Sequence, residues 1–147
     1  MNFQAVVIHD EPGLRQLIAE FLEAWTRYSF KVETTSFSNR LSGPMRRWLV
    51  ETDFFIIGLE RHYREGRCAE GVDTGKMLLS LGKKVLIVGS ECSSDQLNLP
   101  FYWDMADSRS LLEAVAEVID SPLPGNESYR TLELHFMNRS AKPVGHR

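Results

Sequence analysis

Four short stretches of the sequence hold residue types that could do chemistry. Asp10 and Glu11 follow the first apolar run, and together with Asp104 they could form an acidic cup for a divalent cation; a solvated acidic rim is the plainer alternative. Gly71 to Met77, GVDTGKM, hints at a phosphate loop. Its spacing is GxxxGK rather than GxxxxGK, however, and Met77 stands where a magnesium-binding hydroxyl is needed. Cys68 and Cys92 are the only thiols, and a nucleophilic cysteine needs a paired base. His62, close to Cys68 in sequence, permits metal or redox chemistry there, whereas two free thiols are the ordinary reading. The fourth stretch, DFFIIGLE from Asp53 to Glu60, is a buried-strand sequence that runs through Ile57 into Gly58. Gly58, where the apolar run ends, has no side chain to offer for chemistry.

Bulk properties exclude several classes. The chain has 147 residues, enough for one domain with a sizeable core, and its 43% hydrophobic and 25% charged residues are too ordinary to name a partner. No apolar run is long enough to cross a bilayer and no signal peptide opens the sequence, so a cytoplasmic location is expected. Residues 1–120 carry 13 Lys and Arg against 18 Asp and Glu, while residues 121–147 carry four against two. An acidic body with a mildly basic tail is a poor candidate for nucleic-acid binding by phosphate neutralisation. No helix-turn-helix signal or basic helix is present.

The elements that must position these residues alternate between strand and helix. Gln4–Ile8 reads as a strand. Gly13–Arg27 reads as a helix whose Leu14, Leu17, Ile18, Phe21, Leu22 and Trp25 would pack on a sheet. Phe30–Thr35 is a second strand, and Pro44 fits the first turn of a helix ending near Glu51. Asp53–Leu59, apolar after its first residue, suits a central strand covered on both faces. Thr74–Leu81 reads as a short helix stopped by Gly82, Lys84–Val88 as a fourth strand and Phe101–Trp103 as a fifth. Ser108–Ile119 closes the series as an amphipathic helix, capped by Asp107 or Ser108. Such alternation argues for an open parallel sheet with helices on both faces, with its ligand-binding end at the strands' carboxyl termini. Residues 1–120 form this domain. Residues 121–147 begin with a Pro-bearing linker, after which Leu132, Leu134 and Phe136 share one side of an alternating segment that suits an extra edge strand or a dimerisation arm.

In order and spacing, VVIHDEPGLRQLIAEFL, DFFIIGLE, KKVLIVGS and FYWDMADSRSLLEAVAEVI resemble the first strand and helix, the third strand, the fourth strand, and the fifth strand with last helix of the response-regulator receiver domain. The resemblance covers most of residues 4–120 and implies a flavodoxin-like, doubly wound α/β fold of five parallel strands in the order 2-1-3-4-5. Family members hold magnesium with an acidic pair after the first strand, accept phosphate on an Asp ending the third, and keep a hydroxyl ending the fourth and a Lys ending the fifth. A carboxylate nucleophile, with cations neutralising the transferring phosphoryl oxygens, is what that reaction requires. Carried onto this sequence, the acidic pair falls on His9 and Asp10, followed by Glu11. The acceptor falls on Gly58, the hydroxyl on Gly89 with Ser90 beside it, and the lysine on Asp104. Phe101 stands at the position of a rotating switch aromatic, although a buried core aromatic is the ordinary explanation.

The spacing departs from the family twice. Seventeen steps separate Gly58 from Gly75, more than the family uses, so ERHYREGRCAEG is expected as an insertion over the site. Fifteen steps separate Gly89 from Asp104, fewer than usual, so the fourth helix of the family is expected to be shortened. The resemblance therefore implies a pseudo-receiver, a non-enzymatic module of bacterial signal transduction or transcription control. It would need no cofactor or metal and would act on a protein partner such as a kinase or another regulator, with a homodimer through the C-terminal segment an open option. The alternatives are an α/β domain with metal, nucleotide or thiol chemistry, and the regulatory domain of a truncated transcription factor.

Overall fold

The computed structural model describes residues 2–36, 44–59, 67–89, 101–104, 108–121 and 130. Five parallel strands, β1 (Asn2–Ile8), β2 (Ser29–Thr35), β3 (Phe54–Gly58), β4 (Lys84–Val88) and β5 (Tyr102–Trp103), form one sheet in the order β2-β1-β3-β4-β5. Helices α1 (Pro12–Ala24), α2 (Pro44–Glu51), α3 (Arg67–Ser80) and α4 (Leu111–Asp120) alternate with them. This is the flavodoxin-like receiver topology expected from the sequence.

Alternation along the strands explains the two layers. Val6, Ile8, Phe55, Ile57, Val85 and Ile87 face α2 and α3, meeting Trp48, Leu78 and Leu79. Ala5, Val7, Phe54, Ile56, Leu86 and Val88 face α1 and α4, meeting Ile18, Leu22, Leu111, Val115 and Val118. Every residue of β3 is buried, as its unbroken apolar run requires of a central parallel strand. Removing each of Phe54 to Ile57 from water contributes about 2 kcal/mol.

Several expectations need correction. Leu17 and Phe21 are 45% and 48% exposed, so they are not part of the stripe on the sheet; Ile18, Ala19 and Leu22 are. The expected apolar positions together cover more arc than one packing face can use. Trp25 ends the helix with extended backbone rather than continuing it. The third helix begins at Arg67, seven residues before Thr74, so part of the apparent insertion is helix, and GVDTGKM lies inside α3 rather than forming a loop. A phosphate loop offers a run of free backbone N–H groups, which the interior of a helix has already committed. The last helix is capped by Ser110, not Asp107 or Ser108. The Ser110 side chain accepts from Glu113 N–H and the Glu113 carboxylate accepts from Ser110 N–H, a reciprocal capping box.

The lower end of the domain is tied at the exit of α4. Lys84 Nζ donates to the carbonyls of Val118 and Ser121, 3.2 and 2.5 Å away, placing a cation at a helix C-terminus. Arg27 and the Tyr28 hydroxyl both reach Asp120 at 3.3 Å. The shortened fourth helix and the C-terminal arm, including Leu132, Leu134 and Phe136, lie outside the described residues. Among the described residues, no helix is long and apolar enough to cross a membrane.

Candidate functional site

Sheet register brings the site residues together at the carboxyl ends of the strands. Ile8 pairs with Ile57, so the next residues, His9 and Gly58, stand side by side. Val88 pairs with Trp103, which sets Gly89 beside Asp104. Backbone bonds extend each ladder by one residue: His9 N–H donates to Thr35 O, Leu59 N–H to Val88 O and Gly89 N–H to Trp103 O. These ends are therefore fixed by the sheet rather than by loops.

The place beside Gly58 is already filled. A Cβ on residue 58 would lie 2.0 Å from His9 Cδ2 and 2.6 Å from His9 Nε2, so the imidazole occupies the space that any side chain at 58 would need. His9 is 4% exposed. Its Nδ1 accepts the Glu11 N–H at 3.0 Å, which assigns the ring proton to Nε2 and makes the imidazole neutral. Nε2 itself is buried with no hydrogen-bond partner among the described residues. Arg15 Nη1 donates to His9 O at 2.7 Å, tying the turn to α1. Gly71 of α3 closes the site from above: a Cβ there would come within 2.7 Å of Leu59 Cδ2 and 3.2 Å of Gly58 O.

Burial pushes the His9 pKa below its ordinary value of 6.5; Glu11 and Asp10 oppose that shift and Arg15 reinforces it. The unfolded chain therefore binds a proton that the folded chain resists. Stability is retained above the unfolded value and lost as the pH falls through and below it. Denaturant unfolding near pH 7.5 and about pH 5.5 is expected to show a smaller acid loss in His9→Asn, whose amide oxygen can still accept the Glu11 N–H. An equal loss in both proteins would show that this ring is not the group responsible.

A second plug fills the other half of the site. A Cβ on Gly89 would lie 2.3 Å from the Tyr102 hydroxyl oxygen and 3.1 Å from Asp104 Cβ. The Tyr102 hydroxyl donates to Asp104 Oδ2 at 2.9 Å, and Asp104 is 2% exposed. Where phosphoryl chemistry needs a hydroxyl and a cation, this pocket holds a phenol and a carboxylate.

The sequence-derived residues thus divide clearly. His9 and Gly58 form one contact, and Gly89 and Asp104 another. Glu11 is exposed and contributes its N–H, and Asp10 is partly buried beside it. Among the described residues no three of His, Cys, Asp or Glu are grouped to hold a metal ion, so the cup of Asp10, Glu11 and Asp104 is not assembled. Phe101 is buried in the core with Ile87 and Tyr102. Ser90, His62 and Cys92 lie outside the described residues. Asp53, at the far end of β3, accepts the Gln4 N–H and has a structural role. Sequence reasoning missed Tyr102; the only signal for it was a tyrosine two positions before Asp104, on the same face of the strand.

No protein-family model matches the chain, and no curated protein matches it. Among solved structures it is similar to the response regulator ChrA of a heme-sensing two-component system, with a TM-score of 0.50 and 17% identity, over 99% of this chain and 69% of that one. At that identity the likeness concerns the fold, and it agrees with the strand order: the chain has a receiver-like fold.

Proposed function

We propose that the chain is a pseudo-receiver, a regulatory module that acts through protein–protein contact in signal transduction or transcription control and does not undergo phosphotransfer. The observation that supports this reading most is the His9 ring standing where a side chain at Gly58 would have to be. Phosphoryl transfer to a protein carboxylate needs an in-line nucleophile and positive charge around the equatorial oxygens. Here the nucleophile is absent, its space is occupied by a neutral imidazole, and the lysine position holds Asp104, whose charge would repel the phosphoryl group. The partner in this reading is a protein, either a kinase or another regulator, and the module itself is not an enzyme.

Incubation of the full chain with magnesium and a small acyl phosphate, read by intact-protein mass spectrometry, is expected to leave the mass unchanged. A hydroxylamine-sensitive phosphoryl adduct on any Asp or Glu would overturn the reading.

A further inference from the structure

The edge strand β5 has only two residues, yet it carries an unusual concentration of ties. Strands this short contribute few ladder bonds: here Ile87 N–H donates to Phe101 O at 2.6 Å and Gly89 N–H to Trp103 O at 2.8 Å. An edge held by so little is expected to open well below the free energy of global unfolding. Side chains supply the rest. The Tyr102 phenol lies in the notch left by Gly89 and donates to the buried Asp104 carboxylate, a charge-assisted bond in a site closed to water. Arg109 donates to Tyr102 O at 2.6 Å and reaches Glu117 of α4 at 2.8 Å, while the Trp103 indole donates to Arg109 O at 2.9 Å.

We propose that Tyr102 and Asp104, seated in the Gly89 notch and cross-tied through Arg109, act as a clasp that holds β5 and the start of α4 in a single conformation on the sheet. The surface at that edge is then presented continuously, with no ligand or modification required to set it. The phenol is the keystone because its oxygen reaches deepest into the notch, 2.3 Å from where a Cβ on residue 89 would lie, and donates from there to Asp104 Oδ2. A side chain at residue 89 would exclude it, and loss of the oxygen would leave a buried carboxylate with one bond fewer. The clasp does not depend on the absence of phosphotransfer, so the two proposals can fail separately.

Native-state hydrogen exchange tests it through the amides of Ile87 and Gly89, which bond to the carbonyls of Phe101, just before β5, and Trp103, within it. In the wild-type protein both are expected to exchange no faster than the amides of Val6 and Ile56 at the sheet centre. In Tyr102→Phe, which removes only the oxygen, both are expected to exchange faster than Val6 and Ile56 by about tenfold or more, the loss of one hydrogen bond to a charged acceptor. Asp104→Ala should do the same, and Asp104→Asn, which keeps an acceptor oxygen, should have a smaller effect. Ile87 and Gly89 amides that already exchange about tenfold faster than the centre in the wild type would overturn the clasp, whatever the stability of the variants. An unchanged ratio of edge to centre rates in Tyr102→Phe would overturn it equally.

Discussion

Gly58→Ala is expected to lower the free energy of unfolding by about 3 kcal/mol, near the upper end of what overpacking costs. The new methyl would fall 2.0 Å from His9 Cδ2, a separation that no packed pair of carbons sustains. Relief has to come from the ring, because β3 is paired on both sides up to Ile57 and Gly58 itself pairs with Val88 of β4. Moving the ring gives up the bond from Glu11 N–H and disturbs a turn that Arg15 also holds. Gly58→Asp adds a buried carboxylate to the same collision and is expected to be worse. The decisive measurement is a double-mutant cycle in urea: in a His9→Ala background, Gly58→Ala should cost less than about 1 kcal/mol. Strict additivity would mean that the two sites do not meet. The same collision means that an aspartate placed at 58 alone is expected to give a destabilised protein.

Gly89→Ser is the second large effect, expected to cost about 2 kcal/mol or more. Its Cβ would meet the Tyr102 oxygen at 2.3 Å, and the phenol can withdraw only by releasing Asp104, which is buried and needs its donors. In Tyr102→Phe the nearest obstructions recede to the ring carbon Cζ and Asp104 Cβ, both at 3.1 Å, contacts that small shifts can absorb. The penalty of Gly89→Ser is therefore expected to shrink by about half in that background, measured by the same urea titration. A penalty that stays the same would place its origin in the backbone of β4 rather than in the phenol.

Much of this architecture was readable from residue patterns because burial dictates them. The runs at Phe54–Ile57 and Lys84–Val88 are too apolar and too short for anything but inner strands, and both formed within a residue of expectation. The absence of a side chain at Gly58 was equally visible. The groups that fill the gap were not: the meeting of His9 with Gly58, and of Tyr102 with Gly89, depends on parallel register between strands about fifty and fifteen residues apart, which no local pattern encodes. The early start of α3 escaped notice because Arg67, Glu70 and Gly71 show no apolar periodicity and include a poor helix former. The cap at Ser110 could have been found, since Glu113 three residues later completes a capping box, whereas Asp107 and Ser108 compete for the same role only in composition.

Lys84 and Asp120 fix more than one helix end. By gripping the carbonyls of Val118 and Ser121 from β4, and Asp120 from the α1–β2 turn, the protein sets the heading with which its backbone leaves the sheet. That departure point is beside the amino ends of the strands, opposite the plugged notch. His9 therefore lies a strand's length from that departure point, whereas Tyr102 is joined to α4 directly, through Arg109 and Glu117. A reporter group joined there would take its orientation from three side chains, Lys84, Arg27 and Tyr28.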